Sequence, residues 1–292
     1  SPAAKTISLA RPALTLEDMQ ALSAVLASGQ LVQAGEVAAF EAALSAALGD
    51  APARAVSNGT TALHVALLAL NPPPGAEIVM PAFTFPSVAH VVALQGWTPI
   101  FVDIDPGDFS PDAAQVLAAL TPRTAAVVWV HQFGCVPPDA RAIRAVEGRG
   151  VPVIEDAACS LGTPLEGQPS GTLARLGCFS FHPRKIITTG EGGAVTTRDP
   201  ELLRQVEVVR NHGLTPGQKG WLRFERPGLN ARMGELNAAL GRTQFSTLNA
   251  NSVRYFTPRS RQERTATRTD SAPLSCPLIR GRPRCLAHRP LP

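Results

Sequence analysis

The apolar positions of this chain follow two periods that alternate along the first 250 residues. Thr15-Leu16-Glu17-Asp18 has the form of a capping box, so a helix starts there and is stopped near Gly29. Val37, Phe40, Leu44 and Leu48 recur at helical spacing and end at Gly49. A third helix opens at Ser57-Asn58-Gly59 and runs through Leu70. Apolar runs at 77–80, 99–103, 125–130 and 151–155 are short, as buried strands are. Between them the pattern predicts helices starting at Ser110-Pro111-Asp112, as cap and first-turn proline, and near 139–147. Cys178-Phe179-Ser180-Phe181 and Ala194-Val195-Thr196-Thr197 read as two further strands, with a glycine turn at 190–193 feeding the second. Asp199-Pro200 caps a helix through Val209, and 232–245 is a last helix.

Short apolar strands alternating with amphipathic helices predict an α/β fold, with a mainly parallel sheet covered by helices on both faces. In such a sheet a ligand belongs at the carboxyl ends of the strands. At 292 residues, 45% hydrophobic and 17% charged, the chain suits one large domain or a large domain with a small partner. No apolar run is long enough to span a membrane, and Ser1 to Arg11 lack the apolar core of a signal peptide. The five cysteines (Cys135, Cys159, Cys178, Cys276, Cys285) show no CxxC pair and no ligand spacing with histidine. No metal site and no disulfide framework are therefore expected, and a cytoplasmic location is.

Charge is unevenly divided. Residues 251–292 hold nine arginines, no lysine and two acids (Glu263, Asp270), a local charge of +7. The whole chain carries +4, which leaves about −3 for residues 1–250. Confinement of the basic excess to one end argues against nucleic acid as a partner. That end also has six prolines and no apolar period after Tyr255-Phe256, so it reads as disordered or foreign to what precedes it. The expected division is a domain over 1–250 and a basic Pro/Arg-rich tail over 251–292.

The candidate chemistry gathers at strand exits. Lys185 lies in Ser180-Phe181-His182-Pro183-Arg184-Lys185, between two expected strands, and is one of three lysines (with Lys5 and Lys219) among 27 basic residues. A lysine so held can lose its proton by burial and attack an aldehyde to form a Schiff base. Ser57-Asn58-Gly59-Thr60-Thr61 offers free helix N–H groups and hydroxyls as a phosphate cradle, although an ordinary N-cap has the same composition. Asp156 follows Val151-Pro152-Val153-Ile154 at a strand exit, where a carboxylate either holds a protonated ring nitrogen or caps the next helix. Phe85, in Pro81-Ala82-Phe83-Thr84-Phe85-Pro86, either stacks on an aromatic ring or packs in the core. Taken together these residues describe an aldehyde, a phosphate, a flat ring and a basic ring nitrogen, which is pyridoxal 5′-phosphate (PLP).

A series of longer segments lies in order between residue 30 and about 248. It comprises Gly35-Glu36-Val37-Ala38-Ala39-Phe40-Glu41, Ser57-Asn58-Gly59-Thr60-Thr61-Ala62-Leu63, Pro81-Ala82-Phe83-Thr84-Phe85, Val102-Asp103-Ile104, Val130-His131-Gln132-Phe133-Gly134, Glu155-Asp156-Ala157-Ala158, the Lys185 segment, Arg210-Asn211-His212-Gly213, and Leu229-Asn230-Ala231-Arg232-Met233-Gly234-Glu235-Leu236. This series resembles the DegT/DnrJ/EryC1/StrS family of PLP-dependent sugar aminotransferases. The resemblance implies a fold type I large domain. It further implies that Lys185 bonds the cofactor, Asp156 pairs with the pyridine nitrogen, Phe85 stacks on the ring, and Gly59, Thr60 and Ser180 bind phosphate. An asparagine matching Asn230 reaches the phosphate of a neighbouring subunit in similar enzymes, so a homodimer is implied. The implied substrates are a nucleotide-linked keto-sugar and an amino acid donor such as glutamate.

Two departures qualify the resemblance. Cys159 stands where the family usually has Gln or His, so a contact to the cofactor's ring oxygen is expected to be altered. The resemblance also stops near Leu248-Asn249-Ala250-Asn251, where the family continues into a small C-terminal domain. That leaves three functional expectations. The first is an aminotransferase impaired by truncation, and the second an inactive remnant or PLP-binding regulatory module. The third is a sugar dehydratase on the same scaffold, against which Lys185 argues, since the related dehydratases carry histidine there.

Overall fold

The capping box closes as expected: the Asp18 amide donates to Thr15 Oγ1 at 3.3 Å, and the Thr15 amide donates to the Asp18 carboxylate at 2.7 Å. In the computed structural model, which describes residues 10–137, 140–215 and 221–245, this box starts helix α1 (Leu16–Ser28), ended by a left-handed Gly29. There follow α2 (Gly35–Ala47), β1 (Ala53–Val56), α3 (Gly59–Leu70), β2 (Glu77–Pro81), α4 (Ser87–Leu94), β3 (Thr98–Val102), α5 (Ala113–Ala119), β4 (Thr124–Val130), α6 (Arg141–Glu147) and β5 (Val153–Asp156). A small hairpin, β6 (Pro164–Leu165) and β7 (Gln168–Pro169), precedes β8 (Leu176–Ser180) and β9 (Gly193–Thr196). The described chain ends with α7 (Pro200–Arg210), the short pair β10 (Leu214–Thr215) and β11 (Arg223–Phe224), and α8 (Glu235–Phe245).

Seven strands form one sheet in the order β1-β9-β8-β5-β4-β2-β3. The pairs β8–β5, β5–β4, β4–β2 and β2–β3 are parallel, while β9 runs antiparallel to both its neighbours. This is the mainly parallel α/β sheet that the alternating periods predict. Successive strand residues face opposite sides. Ile78 and Met80 pack with α3, α4 and α7, whereas Val79 and Trp129 pack with α5 and α6. At the β1–β9 end that second face is covered by α2 and α8 through Phe40, Leu44 and Ala238. Both faces are therefore buried, and ligands are left the strand ends.

The differences from the expected elements have local causes. Strand β1 is built from small residues and an arginine, a weak strand signal. It forms because β9 pairs with it and because Glu41 accepts the Ala55 N–H at 2.9 Å while Arg210 donates to the Ala55 carbonyl at 2.8 Å. Helix α4 is valine-rich and has no side-chain cap, so its period is obscured. Helix α5 starts later than Ser110-Pro111 suggested, because Asp112 is its N-cap, accepting from the amides of Ala114 and Gln115. Helix α8 begins at Glu235 rather than 232 because the Ala231 amide bonds the Arg210 carbonyl and Arg232 bridges Val56. Asp139 and the expected tail over 251–292 lie outside the described residues.

One long-range cap was not legible in the sequence. Helix α2 has Ala34 at its N-cap and no side-chain cap of its own. The buried Glu235 carboxylate takes that place, accepting from the amides of Ala34 (2.6 Å), Glu36 (2.7 Å) and Val37 (3.2 Å). Glu235→Ala is expected to cost about 2–3 kcal/mol of unfolding free energy, since it strands donors at a helix start. Urea unfolding checks this, and a loss below about 0.5 kcal/mol, ordinary for a surface change, would remove the capping role.

Candidate active site

Asp156 is the last residue of β5, and burial dominates its chemistry. Its neighbours in register are Val130 of β4 and Cys178 of β8, and the residue is 7% exposed. Loss of water raises its pKa, opposed in turn by the Ala158 N–H bonded to Oδ1 at 3.1 Å, by Lys185 and by His131. The carboxylate is thus a buried acid with one backbone donor and two basic side chains near it. Burial likewise pushes the Cys178 thiol well up, with Asp156 and Glu155 adding to the effect. Cys178 is a neutral bystander.

Lys185 lies in the connection between β8 and β9, half-buried, with its amide bonded to the His182 carbonyl at 2.8 Å. Its Nζ is 3.0 Å from the Cys159 Sγ. Cys159 sits in the turn after β5, whose backbone is tied down by Ala157 N–H to the Cys178 carbonyl (2.9 Å) and Ser160 N–H to the Ala157 carbonyl (3.0 Å). The ends of β5 and β8 thereby bring Asp156, Cys159 and Lys185 to one place.

The third element is the start of α3. Asn58 is its N-cap, accepting from the Thr61 amide at 2.8 Å. The amides of Gly59 and Thr60 make no hydrogen bond among the described residues. A Cβ at Gly59 would lie 2.6 Å from the Ser180 Cβ and 3.0 Å from its hydroxyl. Gly59 is required by this close approach, which sets two free helix amides beside the Ser180 hydroxyl at the end of β8.

Other expected residues stand apart. Phe85, between β2 and α4, is 71% exposed, and no ring packs on it among the described residues. Thr60 is exposed on the first turn of α3. Asn230 is exposed on a segment that bridges Asn211, next to the Ala231 carbonyl that receives the Ser57 amide. Two surface cavities, of about 200 and 380 Å3, include none of these candidates. Among the described residues no His/Cys/Asp/Glu cluster could hold a metal, and no helix is long and apolar enough to cross a membrane.

A buried dyad beside Asp156 was given no role from sequence. Glu155 accepts from the amides of Gly171, Leu173 and Ala174 at 2.8–2.9 Å and pairs with His131 Nε2 at 2.9 Å. Both side chains are fully buried. His131 also donates its backbone N–H to the Asp156 carbonyl at 3.1 Å, so the dyad braces the strand end that carries Asp156. Two consecutive acids closing an apolar strand (Glu155, Asp156) are the available signal.

A seven-stranded, mainly parallel sheet thus carries a lysine, a buried aspartate and a glycine-opened helix at its strand ends. The DegT/DnrJ/EryC1/StrS aminotransferase family model matches residues 12–261, and the chain belongs to that family. The match begins before and ends after the motif series at 30 to about 248. GDP-perosamine synthase of Caulobacter vibrioides is 40% identical over 206 residues, covering 70% of this chain and 55% of that protein. A UDP-N-acetyl-3-dehydro-alpha-D-glucosamine 3-aminotransferase of Acidithiobacillus ferrooxidans is 36% identical over 238 residues, 80% of this chain and 63% of its own. The chain therefore spans less than two thirds of the length of these relatives. The solved structure of Helicobacter pylori PseC, an aminotransferase involved in the biosynthesis of pseudoaminic acid, superposes with TM-score 0.77 at 30% identity. That superposition covers 83% of this chain and 66% of PseC.

The buried charge has a consequence for stability. Because the folded pKa of Asp156 is raised, the folded state binds the proton more tightly than the unfolded one, and stability is lost as pH rises through that window. In cofactor-free protein, Asp156→Asn is expected to raise the melting temperature at pH 7, with the gap closing as the pH falls and the wild-type carboxylate protonates. A variant less stable than wild type at every pH would show that the carboxylate is structural.

Proposed function

We propose that this chain is the cofactor-binding part of a PLP-dependent aminotransferase acting on a nucleotide-linked keto-sugar, with an amino acid such as glutamate as donor. The single observation that carries the reading is the meeting of buried Asp156 and half-buried Lys185 at the ends of β5 and β8. The residues fit the cofactor. At the start of α3 a Cβ on Gly59 would clash with Ser180, and its absence sets two unpaired amides beside the Ser180 hydroxyl for a phosphate. Asp156 offers a desolvated carboxylate for a protonated ring nitrogen. The relatives' names, a GDP-perosamine synthase and a UDP-sugar 3-aminotransferase, support the substrate class.

PLP, when bound, supplies an electron sink for the substrate carbon that bears the nitrogen. The chain's own residues divide the rest. Gly59, Thr60 and Ser180 would hold the phosphate, and Asp156 would keep a proton on the ring nitrogen. Lys185 Nζ would hold the cofactor's aldehyde carbon and, as a free amine, would hold and move the proton of the substrate carbon that bears the nitrogen. Cys159 would face the ring oxygen as a weak hydrogen-bonding group. Phe85, already exposed, would stack on the ring, and Asn230 would serve the phosphate of a neighbouring subunit. A homodimer is supported by exposed aromatic surface at the strand ends, where Phe83 and Phe133 pack 6.1 Å apart yet are 48% and 61% exposed. Cys159 and Cys178 form no disulfide among the described residues, which supports a reducing, cytoplasmic setting.

Borohydride reduction of the full chain with PLP, followed by peptide mapping, tests the reading. The pyridoxyl label is expected on Lys185 and absent from Lys185→Ala. Gly59→Ala is expected to weaken PLP binding by about tenfold, on the order of 1.4 kcal/mol, while leaving unphosphorylated pyridoxal unaffected. A label on Lys5 or Lys219, or none at saturating PLP, would overturn the assignment.

A further inference from the structure

We propose that Cys159 and Lys185 form a peroxide-responsive covalent switch, in which oxidation joins the thiol sulfur to the lysine nitrogen. Two nucleophiles of different kinds lie 3.0 Å apart, Sγ to Nζ, and both side chains are only half-buried, open to a small oxidant. Their backbones are held while the side chains remain free to close. On one side, Asp156 Oδ1 accepts the Ala158 amide, and Ser160 is fixed by Ser170, whose hydroxyl donates to the Ser160 carbonyl at 2.6 Å. On the other, Lys185 is anchored through His182, which also receives the Arg184 amide on Nδ1 at 3.2 Å. A lysine stem is flexible enough to complete the approach.

The chemistry balances with a hydroperoxide as oxidant. The sulfur attacks the terminal peroxide oxygen, the O–O bond breaks, and the products are a sulfenic acid at Cys159 and an alcohol, or water from hydrogen peroxide. The unprotonated Lys185 amine then attacks the sulfur. An S–N bond forms, the S–O bond breaks, and the oxygen leaves as water with one proton from nitrogen. Sulfur is oxidised by two electrons and the peroxide is reduced. A thiol reductant reverses the step by attacking sulfur and returning the free amine. While the bond stands, Lys185 has no amine to offer an aldehyde. That consequence rests on the proposed role of Lys185, whereas the cross-link itself does not.

The test separates the two. The full chain, without PLP, is treated with hydrogen peroxide, alkylated, digested with trypsin and mass-mapped. Peptide 150–175 contains Cys159 and no other cysteine, and Lys185 begins the peptide that follows Arg184. The expected product joins these two peptides and is lighter than their sum by the two hydrogens lost. It should disappear on treatment with dithiothreitol. In Cys159→Ser, acylation of Lys185 by an amine reagent should persist through peroxide treatment, with loss roughly tenfold slower than in wild type. Pre-incubation with PLP should suppress the cross-link if Lys185 also binds the cofactor. Sulfinic acid at Cys159 with Lys185 unlinked, or equal loss of Lys185 reactivity in Cys159→Ser, would overturn the proposal. A cross-link that PLP does not suppress would leave the switch standing and count against the cofactor role.

Discussion

The structure turns on one desolvated carboxylate. Asp156 closes the central strand β5, where burial raises its pKa and, among the described residues, one backbone amide answers it directly. A charge in that position is costly unless something compensates it. Within the chain the compensation is partial and electrostatic, from Lys185 and His131. A cationic ring nitrogen, as in the proposed reading, would complete it. The Glu155–His131 dyad, held by the amides of the 171–174 loop, keeps the strand end from relaxing away from this cost.

Topology places the remaining groups around that charge. The parallel strands β5 and β8 deliver Asp156 and Ser180 to the same edge of the sheet. The antiparallel strand β9 returns the chain, so the residues between β8 and β9, Lys185 among them, must turn over that edge. Helix α3 starts beside the same edge and packs on Ser180 without a side chain at Gly59. The stability of this edge is borrowed from helices far away in sequence. Glu235 caps α2, and Phe40 of α2 meets Phe181 edge-on at 5.1 Å, one residue beyond β8.

Much of this was legible in the residues. The helical period of Val37, Phe40 and Leu44, the Thr15–Asp18 capping box, and the apolar strands β2 and β4 are local signals, and they appear as read. Lys185, Asp156 and Gly59 stood out because each follows a strand or opens a helix, and strand ends are where such a sheet binds ligands. What was not legible depends on distant partners. Strand β1 exists because Glu41 and Arg210 grip Ala55, and no window of sequence contains all three. The Cys159–Lys185 contact joins two turns across the β5–β8 pair, and the His131–Glu155 dyad joins two strand ends. Phe85 stood out after a strand and Asn230 through the resemblance, and both stand exposed, without a contact to Asp156 or Lys185 among the described residues.

In the proposed reading, Asp156 keeps a bound ring nitrogen protonated. Nitrogen-15 NMR of the protein loaded with ring-labelled PLP reports that proton directly. A pyridinium shift is expected to persist well above the pH at which free PLP loses its ring proton, with a neutral-pyridine shift in Asp156→Asn. A neutral ring nitrogen in the wild-type protein at neutral pH would contradict it.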